Sequence, residues 1–173
     1  MQAFTEAGVP LVESIPLRNL ERFAIEAIGL QTDLMVNWKA VGEFRTGSTG
    51  EPNIWLHLTA DVCLPLTCQR CMAAVQTLLR VDQWYRFVAT EAIAMAEDDA
   101  SEEDLLVLTP QFDLLGVLED ELLMALPLVP MHEECPELPA FNAGAVDLPS
   151  DVDGKPNPFA ALAQLKKSQE KSK

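Results

Sequence analysis

Basic residues are scarce in this chain. Twelve lysines and arginines stand against 27 aspartates and glutamates over 173 residues, a formal net charge of −15. Such a surface repels nucleic-acid phosphates over most of its area, which disfavours extensive direct RNA binding. Long apolar runs are also missing: nothing approaches the roughly 18 apolar residues of a spanning helix. The first residues, MQAFTEAGVP, carry neither the basic start nor the apolar stretch of a secretory signal. We therefore expect a soluble, cytoplasmic protein with no membrane association. No internal repeat, glycine-rich phosphate loop or nucleophile elbow occurs, so the common nucleotide-binding and hydrolase classes lose support.

Cysteines are few, four in all, and in a cytosolic chain they read as reduced thiols or metal ligands rather than disulfides. Their spacing favours ligands. Cys68-Gln-Arg-Cys71 and His132-Glu-Glu-Cys135 are two-residue-gapped pairs far apart in sequence. Each pair lets two donors converge on one ion, and two such pairs complete the tetrahedron that zinc prefers. Four protein ligands leave no open position for water or substrate, so the expected site is structural and joins two segments. Vestigial thiols packed under a turn remain the other reading of these positions. A third is a redox dithiol, which needs a depressed thiolate pKa and usually a helix starting at the motif.

Length and a 49% hydrophobic content suit one globular domain plus tails. Residues 17–29 place Leu17, Leu20, Ala24, Ala27 and Ile28 near one helical face, with Gly29 as the stop. The period then changes to two, and Leu30, Leu34, Val36, Trp38 and Phe44 share one side of a half-buried strand. Residues 54–66 alternate most cleanly, with Ile54, Leu56, Leu58, Ala60, Val62, Leu64 and Leu66 on one side. Cys63 falls on the opposite parity with His57 and Asp61, which removes it from the ligand set. Residues 75–90 read as the return strand, so the Cys68–Cys71 turn caps a long hairpin in the manner of a zinc knuckle. The segment 112–126 predicts a helix with Leu114, Leu115, Leu118, Leu122 and Ala125 on one face and Asp113 as N-cap. Glu119, Asp120 and Glu121 interrupt it and read as a solvated face rather than a catalytic dyad, because consecutive helical residues do not share a face. The fold class is α+β, with an antiparallel sheet and packed helices. A single domain covers residues 1–135, a linker rich in Pro, Gly and Asp covers 136–156, and a short helix with a basic tail covers 157–173.

Residues 97–104 hold Glu97, Asp98, Asp99, Glu102, Glu103 and Asp104. Without a counter-ion they repel one another, so we expect a mobile loop that attracts a basic partner. The twelve-residue calcium pattern with its central Gly and terminal Glu is absent. In the tail, Phe159 and Leu162 give an apolar docking side. Residues 154–173 set five lysines against one glutamate, an electrostatic character opposite to that of the body.

The order of these features resembles the bacterial large ribosomal RNA subunit accumulation proteins, the YceD-like family. The resemblance rests on the strand pair flanking CQRC, the acidic segment, the Leu-rich acidic helix, LPLVPMHEEC and the terminal NPFAALAQLKK, from about residue 17 to 167. It implies a ribosome biogenesis factor supporting accumulation or processing of large-subunit (23S) ribosomal RNA, without defining a reaction. The ligand role carries over most directly for Cys68, Cys71 and Cys135, since some relatives have a Cys pair where this chain has His132 and Cys135. We expect a non-enzymatic protein with a structural Zn2+, a basic ribosomal or assembly protein as partner, and RNA contact that is indirect or made by the tail. The competing readings are the CxxC redox protein and an acidic interaction module outside ribosome assembly.

Overall fold

A computed structural model describes residues 1–29, 33–46 and 50–136, which fall in one unit, Met1–Leu138. In chain order the elements are helix α1 (Gln2–Ala7), strand β1 (Leu11–Pro16), a 3₁₀ turn (Leu17–Asn19), helix α2 (Glu21–Ala24), and strands β2 (Met35–Thr46), β3 (Pro52–Thr67) and β4 (Ala74–Val88). Helix α3 (Glu91–Glu97), a second 3₁₀ turn (Asp98–Ala100), strand β5 (Asp104–Val107) and helix α4 (Leu114–Met124) follow. The strands form one five-stranded sheet in sequence order. The first four are antiparallel, but β5 runs parallel to β4. The expected antiparallel sheet holds for β1 to β4 and becomes mixed at its edge: α3 and the turn after it carry the chain back, so that β5 enters in the direction of β4.

The inner face follows from the alternation in β3. Leu56, Leu58, Ala60, Val62, Leu64 and Leu66 are all buried, opposite Tyr85, Gln83, Val81, Leu79, Thr77 and Val75 of β4. On β2, Val36, Trp38 and Ala40 continue the same face. Phe44, of matching parity, stands exposed at the far end of the strand. Leu17, Leu20 and Phe23 cover the sheet from one side of this layer, and Leu118 and Leu122 of α4 join them in one cluster. Each fully buried Leu or Phe contributes about 1.5–3 kcal/mol, so this layer dominates stability. Helix α1 lies on β2, and a Cβ at Gly42 would meet Thr5 Oγ1 at 2.7 Å and the Phe4 ring at 3.0 Å. Only a residue without a side chain allows that approach.

The outer face carries polar groups and aromatics. His57 stacks on Trp84 with ring centres 4.0 Å apart and planes within 2°. The Arg45 guanidinium lies 3.8 Å from the Trp84 centroid and 4.6 Å from that of Trp55. A cation over an indole is favoured by the ring quadrupole, so the long arginine covers apolar surface that would otherwise face water.

Three further expectations change. The segment 17–29 is not one helix: the backbone turns at Leu20 (φ −109°, ψ 80°), leaving a 3₁₀ turn and the single turn of α2. The cause is tertiary. Glu119 on α4 accepts hydrogen bonds from the backbone N–H groups of Arg22 (2.8 Å) and Phe23 (3.2 Å), and from Arg22 Nε (2.8 Å). A carboxylate from another helix thereby satisfies the free amides at the start of α2. Glu119 is consequently buried rather than solvated; Asp120, which also holds Arg22, stays exposed. The acidic run is ordered as well. Arg86, on the outer face of β4, bonds Glu97 Oε2 (2.9 Å), Glu103 Oε1 (2.6 Å) and Ser101 Oγ (2.9 Å). Gln83 donates to Asp104 at 2.5 Å. Arg86 is the counter-ion whose absence would have left a loop.

Residues 30–32 and 47–49, and from 137 onward the expected linker and the expected C-terminal helix with Phe159 and Leu162, lie outside the described residues. Among the described residues, no helix is long and apolar enough to cross a membrane.

Replacing Glu119 with Ala should cost about 2 kcal/mol in chemical denaturation, because two backbone amides and one guanidinium lose their acceptor. Asp120→Ala, which removes only an exposed ion-pair partner, should cost less than about 1 kcal/mol. Equal losses in the two variants would contradict the capping role of Glu119.

Candidate metal centre

Two structural pieces converge at one end of the sheet. The first is the tip of the β3–β4 hairpin, where the last strand pair is Thr67 opposite Ala74. Cys68 N donates to Ala73 O at 2.9 Å and Met72 N to Cys68 O at 2.9 Å, which tightens the connection. Met72 adopts φ 62°, a left-handed conformation that costs a side-chain-bearing residue about 1–2 kcal/mol. That turn directs the sulfurs of Cys68 and Cys71 to the same side. The second piece is the stretch after α4. Pro127 and Pro130 stiffen it, and Gln69 N donates to Pro130 O at 2.9 Å, laying it against the tip.

The four expected ligands meet there: one donor atom from each of Cys68, Cys71, His132 and Cys135 lies within 4.8 Å of all the others. These residues are close enough to hold a metal ion. Cys68 Sγ is 3.8 Å from Cys135 Sγ, and Cys71 Sγ is 3.4 Å from His132 Nδ1. A tetrahedral site with metal–sulfur bonds of about 2.3 Å and metal–nitrogen bonds of about 2.0 Å requires separations of about 3.8 Å between sulfurs and about 3.5 Å between sulfur and nitrogen. The observed spacings fit. They are far from the roughly 2.05 Å of a disulfide, and all four cysteines are free. Cys63 is exposed on the outer face and outside the cluster, as its parity requires.

The surroundings prepare the donors. His132 Nε2 lies 3.1 Å from the Ala74 carbonyl. An acceptor there selects the tautomer that carries its proton on Nε2 and leaves the Nδ1 lone pair facing the sulfurs. Burial alone would raise the Cys68 thiol. Backbone N–H groups of Cys71, His132 and Arg70, with the His132 side chain, outweigh it and lower the thiol to about 5. Cys135 moves the other way, to about 11, through burial and then its contacts with Cys71 and Cys68. An unshared cluster of thiolates is self-repelling, and a cation relieves that repulsion.

The expected partner-binding residues divide. Glu97, Glu103 and Asp104 are engaged by Arg86 and Gln83, whereas Asp98, Asp99 and Glu102 are exposed. Sequence reasoning missed Glu119, Arg86 and the Ala74 carbonyl. An arginine just upstream of an acidic run was a usable signal for Arg86. The carbonyl depends on hairpin register and left none.

Because Cys135 must lose a proton to become a ligand, metal affinity should fall at least about tenfold per pH unit between pH 7 and 6, and faster below about pH 5 as Cys68 also takes up a proton. Competition titration against a chromophoric chelator over that range checks this. Cys68→Ser should lose the metal and lower the melting temperature. Cys63→Ser should change neither.

The family model described as "Large ribosomal RNA subunit accumulation protein YceD" matches residues 56–166, which take in most of β3 and both ligand pairs. A protein of Haemophilus influenzae bearing the same name is 40% identical over 108 residues, covering 61% of this chain and 62% of that relative's length. No solved structure matches the chain. With the hairpin-tip pair and the pair after α4 both inside a match that covers more than half of its length, the chain belongs to the YceD family of large ribosomal RNA subunit accumulation proteins.

Proposed function

We propose that this protein supports accumulation of large-subunit (23S) ribosomal RNA as a non-catalytic binding factor in the bacterial cytoplasm, and that Cys68, Cys71, His132 and Cys135 hold a structural zinc ion. The observation that carries this reading is the closed four-donor set at the hairpin tip. Three thiolates and an imidazole are a zinc donor set. With every position filled by protein, the metal has no place for substrate. Its role is to hold the segment 127–135 against the hairpin.

The partner is a basic ribosomal or assembly protein, with RNA reached indirectly or through the lysine-rich tail. Family membership supports the ribosomal setting. Charge supports the kind of partner: none of the lysines and arginines falls between Arg86 and Lys155, so that whole stretch attracts cations and repels phosphates. Asp98, Asp99, Glu102 and Asp104 are the exposed members of the acidic run, Asp104 being held by Gln83.

One observation speaks for dithiol chemistry instead, the Cys68 thiol lowered to about 5. A thiolate is equally what a metal requires, and the motif joins two strands rather than opening a helix. The metal reading accounts for all four residues; the redox reading accounts for two.

In cells lacking the protein, the ratio of large- to small-subunit ribosomal RNA should fall, and wild type should restore it where Cys68→Ser/Cys71→Ser does not. A normal ratio in the deletion strain would refute the accumulation role. Restoration by a metal-free double variant would separate that role from the zinc.

A further inference from the structure

Beside the four-donor cluster, the same two pieces of chain and the turn after α2 border a notch of about 260 Å³ lined by Glu26, Leu66, Thr67, Gln69, Leu126 and Leu128, with Pro127 and Pro130. Ligand and cofactor sites are typically about 300–1,000 Å³, so this one suits a single long side chain. Leu66, Leu126, Leu128 and the two prolines give it apolar walls, while polar atoms make up the larger share of its exposed lining. Glu26 is the one ionisable residue in its lining, and Leu66 on its wall is buried.

The rim is unusually apolar for a chain of this charge. Leu128 is fully exposed, and Val129, Met131, Met72 and Ile25 also face solvent. Chain connectivity keeps them together: Met72 follows the ligand Cys71, Met131 precedes His132, and Ile25 precedes Glu26. These side chains are held out rather than left loose. The segment bearing Leu128 lies between two prolines and is tied to the hairpin by the Gln69–Pro130 bond and by His132 N donating to Cys68 Sγ at 3.5 Å. A rigid backbone presenting apolar groups to water loses little entropy on binding. Glu26 is exposed, as are Glu133 and Glu134 next to His132 in sequence and Arg70 between the two hairpin cysteines.

We propose that this notch is the docking point for a basic protein segment, which inserts one arginine or lysine side chain against Glu26 and covers Leu128, Val129 and Met131 with neighbouring apolar residues. The aliphatic stem of such a side chain packs on Leu66 and Leu126 while its head reaches the carboxylate. A nucleic-acid occupant is disfavoured, because a phosphate would meet the Glu26 carboxylate there. A metal would fix two of its three parts, since the segments 66–69 and 126–130 lead into the two ligand pairs, while Glu26 comes from the turn after α2. The proposal rests on the reading of the chain as a binding factor, and it moves the main contact from the acidic run to the metal end.

The test uses the full zinc-loaded chain carrying a photo-crosslinking amino acid in place of Leu128, expressed in the deletion strain, with the crosslinked species identified by mass spectrometry. The expected product is a lysine- and arginine-rich protein joined at position 128. Its yield should fall about tenfold in Glu26→Lys and stay within about twofold in Asp98→Lys/Asp99→Lys. Metal content and melting temperature should be unchanged in both, since all three residues are exposed. Crosslinking to RNA or to a second copy of this chain, or yields that fall equally in the two variants, would overturn the proposal. The same strains report the ribosomal RNA ratio. A deletion strain with a normal ratio refutes the accumulation role while the crosslink still decides the surface; a deficit fully rescued by Glu26→Lys and by Leu128→Asp refutes the surface and leaves the role standing.

Discussion

The register of the β3–β4 hairpin is the constraint on which the remaining features depend. Pairing Thr67 with Ala74 places the apolar row of β3 inward, closes the turn that gathers Cys68 and Cys71, and sets the Ala74 carbonyl where the His132 ring finds it. A slip of one residue would turn every side chain of one strand to the opposite face. Leu56, Leu58 and Leu64 would meet water, and the carbonyl that selects the imidazole tautomer would point away. The long run of paired apolar residues makes such a slip expensive, so packing energy stored along the strands guarantees geometry at the tip. The site is accurate because the core is unforgiving.

Scarcity of positive charge shapes the rest. Two arginines each hold two acidic groups: Arg22 binds Glu119 and Asp120 of α4, and Arg86 binds Glu97 and Glu103 of the acidic run. Arg22 is more than half exposed, at 55%, and its ion pair by itself is worth little. What matters is that Glu119, at 11% exposure, also receives two backbone amides, which water cannot easily replace. The acidic run follows the same rule with the roles exchanged, since Arg86, at 14% exposure, is the enclosed member.

What could be read from residues alone follows the range of the forces involved. Alternation from Ile54 to Leu66, the Asp113 cap and the parity that excludes Cys63 are local or period-two signals, and each reappears in the structure. The four candidate donors were legible because ligand chemistry restricts both residue type and spacing, and the structure brings them together. The break at Leu20 was not, because its cause sits on α4, nearly a hundred positions away in Glu119. For the same reason the acidic run looked like a loop: its neutralising arginine belongs to another strand. The parallel entry of β5 left no trace either, as four residues of Asp-Leu-Leu-Val do not encode a direction.

The contact between Cys71 and His132 spans 61 positions of sequence. A metal bridging them would turn the chain between into a closed ring that contains β4, α3, β5 and α4. Closing a ring of that size removes freedom mainly from the unfolded chain, by an amount that grows only slowly with ring size. The ring has a mechanical side as well: a proteolytic cut between α3 and β5 would open the backbone without releasing either part, since each would still be clasped at the tip of the hairpin. With a metal held there, its loss or a peptide cleavage alone would leave the two parts connected, and only the two together would separate them.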